Sequence, residues 1–311
     1  MPEKLLFNFF TDCETTQPAV ANVGLGERAT AGIADVLESR NIRGTFHVIP
    51  TDIEASAALY QALSRRGHEI GLHLHPAADG YEEFLGVYGA EMQREIVTQA
   101  ANRFAQAMGF FPHTVLPGYA SANDHTYGVL YDAGFRHGMT TIPTRVLPEC
   151  ASVHAGVPLD VHYAHRFNRT LAGELDFVEI PVTVDSDSRM WGGKTPLDLR
   201  VELVDAKNHW YTIEKAISRQ VAQRTPLKII RAFTHNVFNY DKADDFRRQT
   251  MERMLDDVVA IAAAKGLSFT GATAQDIATA YRAAVSLGSN VGKLELDRRG
   301  WDGASAGGAV K

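Results

Sequence analysis

The sequence predicts an α/β chain whose parallel strands close into a barrel, and three observations predict it. Short apolar or β-branched runs alternate with stretches of helical periodicity, the pattern of strand–crossover–strand units. Seven or eight such runs occur in one chain of 311 residues, which suits a closed barrel better than an open sheet. Residue types able to do acid–base or metal chemistry stand at the ends of three of those runs, where a barrel gathers its functional groups.

The elements follow in order. Leu5 to Phe10 (LLFNFF) reads as a buried first strand. Residues 28–40 place Ile33, Val36 and Leu37 at helical spacing before the turn residues Asn41 and Gly44. Thr45 to Ile49 is β-branched and aromatic and ends at Pro50, a second strand. Residues 52–66 set Ile53, Tyr60 and Leu63 on one helical face, and Gly67 stops that helix. Glu69 to His75 reads as a third strand, and residues 91–108 as a helix carrying Met92, Ile96 and Phe104, capped by Gly109. Strand-like runs follow near 114–117, 135–141, 177–184, 228–234 and 267–270, with a helix over 243–265 that carries Met251, Met254, Leu255 and Val258. Residues 143–176 lack periodicity and are expected to form an insertion over the barrel mouth. The barrel domain is expected to span 1–285. The glycine-rich residues 286–311 are expected to form a flexible or subunit-contacting tail, so a homo-oligomer is one expectation.

Composition narrows the function classes. Lys+Arg 31 against Asp+Glu 37, with no long basic run, argues against nucleic acid as a partner. No apolar run approaches the ~20 residues that span a bilayer, so no membrane partner is expected. The start, MPEKLLFNFFTDCE, lacks the apolar stretch and cleavage site of a signal peptide, and two cysteines, Cys13 and Cys150, make no disulfide framework. The expected setting is cytoplasmic, and the expected partner a small molecule.

Three constellations carry chemistry. Asp12 and Glu14 follow the first strand two residues apart, so on extended backbone both carboxylates can enter one site. A solvated loop start is the plainer reading of that pair taken by itself. His73 and His75 alternate with Leu72 and Leu74, which puts two imidazoles on one face of a strand, an arrangement suited to a divalent ion such as Zn²⁺. His235 ends the apolar run Ile229–Phe233, where it could act as an acid or merely cap the strand. His68, at the beginning of the third strand, is expected at the opposite end of the barrel in a structural role. A carboxylate with two histidines for a metal, a second carboxylate as base and a further histidine as acid are the parts of metal-assisted amide hydrolysis.

These residues resemble the polysaccharide deacetylase family, which shares the NodB homology domain, over roughly residues 4–282. Thr11-Asp12-Cys13-Glu14 is similar to its first motif, Gly67 to His73 to its second, Leu116-Pro117-Gly118-Tyr119-Ala120 to its third, Asp187 to Trp191 to its fourth, and Phe233-Thr234-His235-Asn236 to its fifth. The resemblance implies a distorted (β/α)7 barrel that removes acetyl groups from N-acetylated sugars with Zn²⁺ or a similar ion. It implies Asp12 as general base, Glu14 and His73 as metal ligands and His235 as general acid. Two departures stand out. The family's second metal histidine usually follows the first by four residues; here position 77 is Ala, and the strand-face argument points to His75. The third motif usually holds an Arg that orients the base; here that position is Leu116, so Arg166 or Arg189 is expected to bring the charge from another loop. Tyr119 and Trp191 are expected to line a sugar groove, with Arg166 and Arg189 also near substrate, while His162 and His165 read as a solvated polar loop. A metal-independent hydrolase of a small cyclic or linear amide, or a non-catalytic carbohydrate-binding protein, are the alternatives.

Overall fold

The computed structural model describes residues 3–289 and 291–292. Its first strand, Lys4–Cys13, runs three residues past the apolar stretch that announces it. Those residues are drawn into the sheet by partners on both sides: Asp12 stands opposite His235 on one neighbouring strand and opposite His47 on the other. The sheet order is Lys228–His235, Lys4–Cys13, Thr45–Val48, Glu69–Leu74, Thr114–Pro117, His137–Gly138, Val178–Glu179, and every contact along it is parallel. The chain thus has the distorted (β/α)7 barrel fold. The distortion lies where the curl closes. Between Val178–Glu179 and Lys228–His235 there is no regular ladder, only single bonds such as Thr183 N to Arg231 O (3.3 Å), Leu199 N to Thr183 O (3.3 Å) and Val201 N to Phe233 O (2.9 Å). Ser268–Gly271 adds beside the first half of the opening strand, and His162–Tyr163 runs antiparallel against Val178–Glu179.

The first strand is buried on both faces, as a parallel sheet under helices requires. Leu5, Phe7 and Phe9 pack with Ile33, Val36 and Leu37 of the helix Val23–Glu38 in the main core. Phe10 belongs instead to an inner cluster with Leu116, Met139 and Phe233, and Asn8 bonds to Thr45 and Arg231. Each fully buried apolar side chain contributes roughly 1.5–3 kcal/mol. A one-residue slip would turn Asn8 and Asp12 toward the face that Phe7 and Phe9 fill, so the register is strongly fixed.

The predicted helix 52–66 is two helices, Pro50–Ala55 and Ala57–Arg65, broken at Ser56 (φ −132°, ψ 35°), whose hydroxyl donates to Glu27 (2.8 Å). The helix Ala206–Ala222 had no apolar periodicity to announce it, because half its buried face is His209, Thr212 and Gln220. The run predicted as a strand over 177–184 is shorter, and the chain after it forms an antiparallel hairpin, Val184–Met190 with Thr195–Asp198, with Trp191 in the turn. Within 143–176 the short pair Val146–Leu147 and Ser152–Val153 is antiparallel. Of the expected tail 286–311, residue 290 and residues 293–311 lie outside the described residues. No helix of the described residues is long and apolar enough to cross a membrane.

Candidate active site

Glu14, just past the first strand, meets the two histidines of the third. Its Oε2 lies 3.0 Å from His75 Nε2 and 3.5 Å from His73 Nε2, and the two Nε2 atoms are 3.0 Å apart. The two-residue spacing works because the backbone stays extended through His75 (φ −120°, ψ 90°), one residue beyond the strand, so both rings share a face. Gly118 makes room for the second ring: a Cβ there would stand 2.6 Å from His75 Nε2.

The far nitrogens of both rings are already engaged. His73 Nδ1 bonds the carbonyl of Leu116 (2.8 Å), and His75 Nδ1 bonds the carboxylate of Glu83. A carbonyl or carboxylate only accepts, so each Nδ1 carries the proton and each Nε2 presents a lone pair in the neutral ring. Three lone-pair donors, one each from Glu14, His73 and His75, thus lie within 4.8 Å of one another. Such a set demands a positive charge. Burial would raise the Glu14 carboxyl, yet the imidazoles of His73 and His75 beside it hold it far below the usual carboxylate range. Burial would lower His75, yet Glu14 and Glu83 push it up to about 9. Two imidazoles and a carboxylate with oriented outer partners are a donor set that fits a divalent cation such as Zn²⁺.

Beside this set stand the proposed base and acid. His235 Nε2 is 3.7 Å from Asp12 Oδ2 and 4.0 Å from Glu14 Oε1, while its Nδ1 bonds Glu202. Burial disfavours the imidazolium, but Glu202, with Asp12 and Glu14, outweighs it and holds His235 up at about 9. Burial raises the Asp12 carboxyl, and His73, His235 and Arg200 only partly pull it back. Asp12 Oδ1 is buried with no hydrogen-bond partner among the described residues. The segment is pinned from behind: Asn236 donates its N–H to Asp12 O (3.0 Å) and accepts from Glu14 N (3.0 Å) through its side chain. Asp52 then accepts from the next two backbone amides, Thr15 N (2.8 Å) and Thr16 N (2.6 Å).

All five side chains open into one cavity of about 430 Å³. Tyr119 and Trp191, each half exposed, line it as the sequence predicts. Tyr119 sits in left-handed backbone (φ 58°, ψ 9°), with its ring edge-on to His75 at 5.7 Å.

Two expected residues are not brought here. Arg166 pairs with Asp132 (2.7 Å) on the outer surface of the helix Thr126–Asp132, and Arg189 donates to the carbonyl of Thr144 (2.8 Å); neither lines the cavity. Arg166 is drawn outward by a carboxylate it can reach in bidentate fashion, and Arg189 ties the hairpin to the loop beside it. His162, expected in solvent, is buried against Asp160 O (2.9 Å), and that burial lowers it to about 4 and keeps it neutral despite the bond. His68 lies away from the site, between Gly44 N (2.9 Å) and Glu38 (2.8 Å), in the structural place expected of it.

The arginines that do line the cavity are Arg200, two residues past the end of the hairpin, and Arg145 of the loop region. Sequence reasoning missed both, along with Glu83 and Glu202. Asp198-x-Arg200 repeats the two-apart spacing of Asp12-x-Glu14, and that signal could have found Arg200. Glu83 and Glu202 lie in loops whose folding no local pattern announces.

Residues 12–138 match the family model described as Polysaccharide deacetylase. Over nearly the whole chain the fold resembles a candidate polysaccharide deacetylase from Mycobacterium smegmatis, with 18% identity, 96% of this chain and 95% of that one covered, and a TM-score of 0.63. It resembles a candidate polysaccharide deacetylase from Pseudomonas aeruginosa PAO1 at 13% identity, with 90% and 91% covered and a TM-score of 0.61. The structure of Puue allantoinase is similar at 12% identity, with 90% of each chain covered and a TM-score of 0.60. A search of curated proteins gives no match. The chain therefore resembles the polysaccharide deacetylases in sequence through its first, second and third motifs, and in fold throughout.

Proposed function

We propose that the protein is a metal-dependent hydrolase that removes an acyl group from the nitrogen of a small N-acetylated sugar. The observation that carries this reading is the Glu14–His73–His75 donor set: three lone pairs aimed at one another, with both far ring nitrogens oriented by acceptors, beside a carboxylate and a histidine that lack such a role. Glu14, His73 and His75 would hold the cation, which when bound supplies Lewis acidity toward a carbonyl and toward water. Asp12, with an unengaged buried oxygen, takes the proton from the attacking water. His235, kept cationic by Glu202, gives a proton to the departing amine. The left-handed turn at Tyr119 offers backbone N–H groups to the developing oxyanion, and its ring with Trp191 receives the apolar face of the sugar.

The test is metal analysis of the purified protein together with an amine-release screen over N-acetyl sugars. Bound Zn²⁺ and chelator-sensitive amine release support the reading. Amine release that survives exhaustive chelation would instead favour a metal-independent amide hydrolase, and sugar binding without turnover would favour a non-catalytic binding protein.

A further inference from the structure

The cavity has a second charged wall that the deacylation chemistry does not use. Arg145 and Arg200 both line it, with one carboxylate, Asp198, between them. Arg145 is almost wholly buried; its Nε donates to Thr195 Oγ1 (3.2 Å) and its Nη1 to Tyr119 O (3.2 Å). Its Nη2 stops 3.6 Å from Asp198 Oδ2 and has no hydrogen-bond partner among the described residues. Arg200 lies over the Phe233 ring at 4.8 Å and near Trp191 at 6.0 Å. Its Nη2 stops 3.8 Å from the same Asp198 oxygen, and its Nε likewise has no partner among the described residues.

Two guanidiniums against one carboxylate leave a net single positive charge on one pocket wall, where Arg145 Nη2, Arg200 Nε and Asp198 Oδ2 all lie buried without a hydrogen bond among the described residues. Buried donors are rarely left unpaired unless a ligand completes them. A guanidinium N–H is best completed by a planar anionic oxygen pair, and a single surplus charge matches a monoanionic carboxylate better than a dianionic phosphate. A cavity of about 430 Å³ is at the small end of ligand pockets and suits one sugar with its acyl group. Resting on the reading of this pocket as the substrate site, we infer that the substrate is an N-acylated sugar acid, its carboxylate drawn to the Arg145 and Arg200 guanidiniums while its amide meets Asp12 and His235.

The test compares binding of N-acetylglucosamine, N-acetylglucosaminuronic acid and N-acetylglucosamine 6-phosphate to the full-length protein by calorimetry. The three differ only at C6. The uronate is expected to bind at least about ten times more tightly than the neutral sugar, the factor one charge-assisted hydrogen bond supplies. Arg200→Gln, with its melting temperature checked against the parent, is expected to lose most of that preference, and Arg200→Lys to keep part of it. Equal binding of uronate and neutral sugar, no measurable uronate binding, a stronger preference for the phosphate, or an Arg200→Gln protein that keeps the full preference would each overturn the inference. The readout is binding, so it separates from catalysis. Amine release from the neutral sugar with no uronate preference removes this inference and leaves the deacylase reading standing. Uronate preference without amine release does the reverse.

Discussion

Two clusters of the same residue types sit inside this barrel, one above the other, and only one of them looks reactive. The upper holds Asp12, Glu14, His73, His75 and His235; the lower holds Asn8, Glu69, His137, Glu179 and Arg231. Both are buried. Between them lies a stacked aromatic pair, Phe10 and Phe233, with ring centroids 4.8 Å apart, capped below by the Arg231 guanidinium at 4.3 Å from Phe10 and flanked by Arg200 on Phe233. In the lower cluster most groups satisfy one another: Arg231 donates to Asn8 (3.0 Å) and to Ile180 O, His137 bonds Glu69 (2.7 Å), and Glu179 accepts from the amides and hydroxyls of Thr140 and Thr141, while the two atoms without a partner among the described residues, Arg231 Nη2 and His137 Nδ1, face no cavity lined by the reactive set. In the upper cluster the outward nitrogens are satisfied and the inward ones converge on open space. Chemical potential here comes from donors and acceptors left over and aimed at a cavity, not from the presence of charged residues in a core.

Breaking each cluster should therefore have different consequences. The largest effect is expected from Asp12→Asn, which keeps the shape but removes the base: turnover should fall by about 10²–10⁴-fold with bound metal retained, read by steady-state kinetics beside metal analysis. Unchanged turnover would reject the base assignment. Arg231→Met in the lower cluster should cost about 3–5 kcal/mol of stability, because it leaves buried carboxylates without their cation, while the surviving folded protein keeps its metal. Chemical denaturation measures it, and a loss below ~1 kcal/mol would mean that the lower cluster is not an interdependent network.

Glu83→Gln should weaken metal binding by about 10–100-fold through His75 alone, since an outer carboxylate orients the ring and raises its basicity. Competition with a chromophoric chelator would show it, and unaltered affinity would remove His75 from the ligand set. The smallest effect concerns pH. His235 is held at about 9, so the acid stays protonated through neutrality and the rate should fall about tenfold per unit only above pH 9. As a stability term the same raised value helps the folded state below the unfolded histidine range and is lost as the pH rises through 9. His47, below the site, is kept neutral by burial and by Arg231, and adds nothing to that limb. An alkaline limb near the ordinary histidine value would show that Glu202 does not hold the proton on His235.

Much of this site was legible residue by residue, and the rest was hidden for identifiable reasons. Asp12 with Glu14, and His73 with His75, were readable because extended backbone puts alternate residues on one side, a rule that needs no partner strand. Tyr119 and Trp191 were readable as aromatics beside motif residues. Arg166 and Arg189 were misplaced because a guanidinium on a long stem goes to the nearest acceptor, and Asp132 and Thr144 O become near only in three dimensions. Glu83 and Glu202 were invisible for the same reason in reverse: they meet their partners His75 and His235 only through the folding of the loops that carry them, and Arg200 was invisible because the ring it packs on, Phe233, lies far along the chain.

The sequence by itself determined the alternation of strands and helices and the chemistry carried at three strand ends, since both follow from local periodicity and side-chain type. The tertiary structure decided which charges complete the site. Parallel registry places Asp12 opposite His235, and the return of the chain through the hairpin delivers Arg200 to the same cavity. Those are long-range pairings, set by how the sheet curls and closes, and no window of neighbouring residues contains them.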